Sequence, residues 1–150
     1  LGEDDKTVNK KVQKAISGGL LPILCVGETL EQREADQTEQ IVTEQIRAGL
    51  EGLSAEKAEA VTIAYEPVWA IGTGKTATAD QAQQVHEKIR ALVAQMYNNE
   101  IAGHIRIQYG GSAKPANTEE LMNCPDVDGL LVGGASLKAD DFSTMIKTVA

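Results

Sequence analysis

Positive charge is scarce in this chain: 14 Lys and Arg stand against 22 Asp and Glu, a net charge of −8. With a pI of about 4.7, that balance argues against nucleic acid or an anionic membrane surface as partner. It does not exclude a phosphorylated metabolite, because backbone amides hold phosphate whatever the global charge. Cysteine is scarce too. Cys25 and Cys124 have no CxxC spacing, and both read as structural thiols of a reducing compartment. No cysteine–histidine cluster and no paired carboxylates suggest a metal. No apolar run approaches the ~20 residues that a membrane-spanning helix needs. No charged-then-apolar leader precedes the first polar helix pattern, so a cytoplasmic setting is expected. The missing initiator methionine at Leu1 is expected of a piece of something longer.

What is present suffices for one domain with a real core: 150 residues, 42% of them hydrophobic. Four short apolar runs, Leu20–Val26, Val61–Tyr65, Ile105–Tyr109 and Gly129–Val132, read as strands. Their aliphatic residues fall on successive positions, as burial on both faces of a parallel sheet would produce. Helical stripes lie around them. Val8, Val12, Ala15 and Ile16 form one, stopped by Gly18-Gly19, and Val42, Ile46 and Leu50 a second. Ala82, Val85, Ile89, Leu92 and Met96 form the clearest, opened by a Thr78/Gln81 capping box. Asn117 and Glu120 have the same spacing ahead of a short helix, and Phe142, Met145, Ile146 and Val149 make the last stripe. Regular alternation of helix and strand implies an α/β fold with parallel strands and right-handed crossovers.

The chemistry concentrates in Ala64–Thr78, AYEPVWAIGTGKTAT. Glu66 ends an apolar run and is followed by Pro67, so a strand delivers a carboxylate to its C-terminal tip. A loop with stiff ends and a glycine-bearing tip follows, the layout of a base beneath a mobile lid. Each of the last three strands ends in glycines: Gly72-Thr73-Gly74, Gly110-Gly111-Ser112 and Gly133-Gly134-Ala135-Ser136. One such pair is ordinarily a tight turn, but three on one sheet edge point to a shared phosphate site. Gly74-Lys75-Thr76 is no Walker A loop, since the first glycine of that pattern falls on Trp69. Gly72 to Ala77 fits GxGxxA, but Pro67 to Ile71 separate it from the strand end where a dinucleotide fingerprint begins.

Through AYEPVWAIGTGKTAT, IQYGGSAKPAN, DGLLVGGASL and LPILCVGETLEQRE, the chain resembles the triosephosphate isomerase family. The resemblance covers essentially the whole chain but only the second half of the enzyme. It implies a single half-barrel domain over residues 1–150, its four strands standing where strands five to eight of a (β/α)₈ TIM barrel stand, in a fold of about 250 residues. It implies a proton shuttle between dihydroxyacetone phosphate and glyceraldehyde 3-phosphate in glycolysis and gluconeogenesis, with Glu66 as base and no cofactor. Val68, Trp69, Ala70, Ile71, Gly72, Thr73, Gly74, Lys75 and Thr76 match the lid, and Tyr109 the residue that latches it closed. Gly72, Ser112, Gly133 and Gly134 match the positions whose amides hold the substrate phosphate.

The family's catalysis also uses a lysine and a histidine from earlier strands, which this chain does not carry. His86 falls on a helix and His104 precedes a strand, and both read as surface or satisfied structural histidines. The isolated chain is therefore expected to be inactive without the N-terminal half. The family's homodimer contact draws on the other half of the enzyme as well. A half barrel leaves two unpaired strand edges and an open interior face, so the chain is expected to self-associate or to pair with an N-terminal half. The alternative expectation is a non-catalytic, self-associating half-barrel module with residual phosphate binding.

Overall fold

Four parallel strands, β1 (Ile23–Val26), β2 (Thr62–Tyr65), β3 (Ile107–Tyr109) and β4 (Gly129–Leu130), form one sheet in sequential order. The computed structural model describes residues 2–73 and 75–149, so the expected lid residue Gly74 lies outside the described residues. Among the described residues eight helices accompany the strands: α1 (Asp5–Ser17), α2 (Leu30–Glu34), α3 (Thr38–Gly49), α4 (Ala55–Ala58), α5 (Ala79–Met96), α6 (Asn99–His104), α7 (Pro115–Met122) and α8 (Ala139–Val149). Two short 3₁₀ turns, Val68–Ala70 and Gly134–Leu137, follow β2 and β4.

The helix starts are written in side-chain caps. Asp4 accepts from the Thr7 amide at 2.7 Å. Thr78 and Gln81 exchange bonds of 3.0 and 3.1 Å as their spacing suggests. A second capping box, Thr29 with Gln32, starts the short helix α2. The helix expected from Asn117 begins earlier, at Pro115. Asn117 is its third residue, and its side-chain oxygen accepts from the Lys114 amide at 2.8 Å. Proline at the first helical position needs no partner for a missing N–H, which explains the earlier start.

Strand register decides which side chains meet. One row runs Leu24, Ile63, Ile107 and the next Val26, Tyr65, Tyr109, Leu130. Both face the helices, where Ile46, Ile89, Val93 and Leu121 complete a core with Ile63, Tyr65, Ile107 and Tyr109. Each fully buried aliphatic side chain there contributes about 1.5–3 kcal/mol of transfer free energy. The intervening row, Cys25, Ala64, Gln108 and Gly129, lies on the other face.

The expectation of burial on both faces fails at β1, where Ile23 and Cys25 are exposed and only Leu24 and Val26 are buried. Its physical reason is that α3 packs on the Leu24 face, where Gly49 meets the Leu24 side chain. The last stripe is also only partly buried. Met145 is covered, whereas Phe142, Ile146 and Val149 remain exposed. The strands are shorter than the apolar runs suggest because Leu20 and Leu21 are exposed residues ahead of β1. Among the described residues no helix is long and apolar enough to cross a membrane.

Candidate functional site

Parallel strands place their C-terminal ends along one edge, and the residues that follow β1, β2, β3 and β4 meet there. The Glu66 amide donates to the Val26 carbonyl at 2.7 Å and the Gly110 amide to the Tyr65 carbonyl at 2.8 Å, so the ladder continues one step past each strand. Glu66 is thereby fixed at the tip of β2, half-buried. Its side chain lies directly over Gly110. A Cβ at that position would sit 2.5 Å from the Glu66 Cγ and 3.2 Å from its Cδ, far inside van der Waals contact. Only glycine lets the carboxylate take this course.

Cys25 flanks the same carboxylate from β1. Although one side of the residue is open, burial and then the nearby Glu66 charge push its thiol up to about 12. The expected structural thiol is therefore an exposed residue beside the candidate base, protonated at neutral pH.

The three glycine loops converge on a cleft of about 390 Å³. Gly72, Ser112, Gly133 and Gly134 all line it, as do Gly110 and Gly111, with Lys114 and Lys138 as its cations and Asp141 as its carboxylate. Residues of all three loops thus line one cleft at one sheet edge. A groove of about 440 Å³ between α3 and α5, edged by Arg33, Glu39, Lys88 and Leu92, is slightly larger. It lies between helices and takes no residue from the three glycine loops. Among the described residues no group of three His, Cys, Asp or Glu is placed to hold a metal.

The segment after Glu66 is braced at both ends. At its start, the Val68 amide donates to the Glu28 carbonyl at 3.0 Å, and Val68–Ala70 winds into a 3₁₀ turn. The Thr73 hydroxyl donates to the Trp69 carbonyl at 2.6 Å and accepts from the Lys75 amide at 3.2 Å. Val68, Ile71, Gly72, Thr73 and Lys75 are exposed, Trp69 and Thr76 half-buried, and Ala70 buried. At its end, the buried Ala77 lies against Tyr109: burial raises the phenol's pKa, and the Ala77 backbone partly offsets that rise. This is where the expected latch residue stands.

A buried carboxylate that the sequence reading did not single out anchors the start of this loop. Glu28, at the tip of β1, has no exposed surface. It accepts from the Trp69 indole Nε1 at 2.8 Å, the Tyr65 hydroxyl at 3.1 Å and Arg33 Nη1 at 3.1 Å. Arg33 also lies over the Trp69 ring, 4.9 Å from its centroid. Three donors, one of them cationic, satisfy a charge that would otherwise be costly to bury. Burial and the Glu28 charge push the Tyr65 phenol well above the usual tyrosine range. The available signal was its position: Gly27-Glu28 ends β1 just as Glu66 ends β2.

Neither histidine joins the cleft. His104 is an exposed partner of Glu59. His86 corrects the expectation of a surface or satisfied residue: it is fully buried, one ring nitrogen paired with the Asp126 carbonyl at 3.1 Å and the other, among the described residues, with nothing. The Asp126 that pairs it is itself held by Arg90 and Gln83. Arg90 Nε donates to Asp126 Oδ1 at 2.7 Å and Gln83 Nε2 to Asp126 Oδ2 at 2.7 Å.

A parallel α/β sheet with a carboxylate and glycine-bearing loops gathered at one strand edge defines a class of protein, that of α/β folds with a candidate site at the C-terminal ends of their strands. The family model for triosephosphate isomerase matches residues 1–149. The chain is 59% identical over 147 residues to a triosephosphate isomerase of Rhodopirellula baltica, covering 98% of this chain and 58% of that protein. It is 58% identical over 146 residues to one of Chloroherpeton thalassium, covering 97% of this chain and 58% of that protein. A relative from Carboxydothermus hydrogenoformans is 56% identical over 146 residues, with the same two shares. The chain belongs to the triosephosphate isomerase family, and it spans 58% of the length of these relatives.

Proposed function

We propose that this chain supplies the base-bearing and phosphate-binding half of a triosephosphate isomerase. The observation that carries the reading is the convergence of Gly72, Ser112, Gly133 and Gly134 on one cleft, on the strand edge that carries Glu66. In it, β1 to β4 are the second four strands of an eight-stranded barrel. Glu66 moves a proton between the two adjacent carbons that form the enediolate as dihydroxyacetone phosphate and glyceraldehyde 3-phosphate interconvert. The amides of the glycine loops hold the phosphate, and Val68–Thr76 closes over the intermediate to exclude water. Tyr109 latches that lid through Ala77. No cofactor enters, and the setting is the cytoplasm, in glycolysis and gluconeogenesis.

The isolated chain is proposed to be inactive, since the family's lysine and neutral histidine come from earlier strands and carry much of the charge stabilisation. The test is conversion of glyceraldehyde 3-phosphate by the chain alone and mixed with the complementary N-terminal segment of the Rhodopirellula baltica relative. Turnover only on mixing, abolished by Glu66→Gln, supports the reading. Turnover by the chain alone would overturn the account of the earlier strands, and none in either case would favour a non-catalytic module.

That second reading has its own support. Leu20, Leu21 and Ile23 are exposed at the β1 edge, and Leu137, Phe142 and Ile146 beyond the β4 edge. Unpaired edges flanked by apolar side chains favour association with another chain, whether a second copy or an N-terminal half, with the homodimer belonging to the whole enzyme. Sedimentation of the chain at micromolar concentration decides it, a monodisperse monomer counting against self-association.

A further inference from the structure

His86 and Tyr109 each bury a polar atom that nothing pairs. Among the described residues, the His86 Nε2 and the Tyr109 hydroxyl have no hydrogen-bond partner, and both residues are 0% exposed. Orphaned buried polar atoms are uncommon and costly, so two in adjoining side chains need an explanation. Their chemistry is complementary. His86 Nδ1 lies 3.1 Å from the Asp126 carbonyl, an acceptor only, so Nδ1 carries the proton and Nε2 is a bare acceptor. The Tyr109 hydroxyl is a donor with nothing to donate to. Their ring centroids are 6.5 Å apart, and the Tyr65 ring closes the third side, edge-on to His86 at 5.9 Å.

The same hydroxyl adjoins both the cleft and the end of the loop that follows Glu66. It lies beneath Gly111, where a Cβ would come within 2.2 Å of its oxygen, and Gly111 lines the cleft. The backbone of Ala77, at the C-terminal end of the loop after Glu66, acts on it from another side.

We propose that His86 is a positioning residue for the lid: its Nε2 accepts a hydrogen bond from the Tyr109 hydroxyl and turns the hydroxyl's lone pairs toward the Ala77 amide. The inference rests on the reading of Val68–Thr76 as a lid. A chain of bonds then runs from the Ala77 N–H to the Tyr109 oxygen, from the Tyr109 O–H to His86 Nε2, and from His86 Nδ1–H to the Asp126 carbonyl. Each donor and acceptor is used once. The relay closes as Ala77 seats on the hydroxyl, so the lid's far end is tied through α5 to the Asp126–Arg90 cluster. Burial keeps the imidazole neutral at physiological pH and able to accept, with Arg90 acting in the same direction and the charges of Asp126 and Asp128 opposing it.

The experiment uses the ¹⁵N-labelled chain, with Tyr109→Phe, His86→Gln and the double variant, read by histidine ring ¹⁵N shifts and amide exchange. The expected result is a His86 Nε2 resonance that moves in Tyr109→Phe. The Ala77 amide is expected to exchange roughly tenfold faster in either single variant, as for loss of one hydrogen bond, and no faster in the double. An Nε2 resonance that ignores Tyr109→Phe overturns the proposal, as do Ala77 exchange effects that multiply in the double variant. Should His86→Gln not fold, the Tyr109→Phe shift decides alone. Neither readout needs turnover, so failure of the isomerase reading and failure of the relay are separately visible.

Discussion

Acidification should destabilise this chain through His86. Burial drives the imidazole's pKa down from its ordinary 6.5 to about 4. Unfolding exposes the ring and restores the ordinary value, so between those two pH values the unfolded state binds about one more proton than the folded state. Stability therefore rises with pH across this window, is fully present above pH 6.5 and is lost as pH falls toward 4. At about 1.4 kcal/mol per pKa unit, the whole drop is worth about 3 kcal/mol. That is a large share of the 5–15 kcal/mol typical of a folded domain.

The assay is urea unfolding at half-unit steps from pH 7 to pH 4, followed by the fluorescence of Trp69, the single tryptophan, for the natural chain and for His86→Gln. Carboxylates titrate in both proteins, so the informative quantity is the difference between the two curves. It should close by about 3 kcal/mol on going from pH 7 to pH 4, most steeply near pH 5. Parallel curves across the whole range would refute the reasoning, as would a direct NMR titration placing His86 near 6.5.

Three further outcomes are expected. Cys25, held near 12 against an ordinary 9.0, should react with a disulfide reagent at pH 8 hundreds-fold or more slowly than the same thiol in the unfolded chain, and Glu66→Gln should speed it; equal rates folded and unfolded would contradict the contact. Gly110→Ala, whose new carbon would meet the Glu66 Cγ at 2.5 Å, should displace the carboxylate by about an ångström and cost on the order of a hundredfold in turnover of the reconstituted enzyme, with little change in substrate affinity; an unchanged rate would show that the carboxylate does not depend on that approach. Glu28→Ala should leave the Tyr65, Trp69 and Arg33 donors unpaired, cost about 3 kcal/mol in urea unfolding, and shift the Trp69 emission to the red, whereas an unaltered spectrum would deny the indole bond.

Much of the fold was legible because it depends on local pattern. The Thr78/Gln81 box, the stripe from Ala82 to Met96 and the Gly18 stop are local signals, and each stands where its spacing put it. The glycine loops were legible as a group, because parallel strands in sequence order bring their ends to one edge whatever lies between. What was not legible depends on side chains meeting across distance. Glu28 reads as one more acidic residue in a charged segment, and only the donors of Tyr65 and Trp69, 37 and 41 residues away, make it a buried anchor. His86 belongs to a polar stretch of helix, QQVHEK, and its burial comes from Tyr65 and Tyr109 in two strands. The short helices α4 and α6 lack a long stripe, and their Ser54 and Asn98 caps are too common in loops to single out. At α8 the periodicity is that of a helix face that this chain leaves half uncovered.

Sequential strand order has a consequence for how the molecule comes apart. Each unit packs chiefly on its neighbours in sequence: α1 on α3, α3 on α5, β1 on β2, β2 on β3, and α7 on α8. Such an arrangement behaves less like a sphere than like a short stack, in which cohesion is a sum over adjacent layers. The middle layers, β2 and β3 beneath α5, have neighbours on both sides and should be the last to open. The terminal layer holds only the two-residue β4 and the half-covered α8, so its amides should exchange through a smaller, separate opening. Gly133 and Gly134 sit in that layer while Glu66 sits in the core of the stack, so one side of the cleft can melt and re-form while the other stays standing.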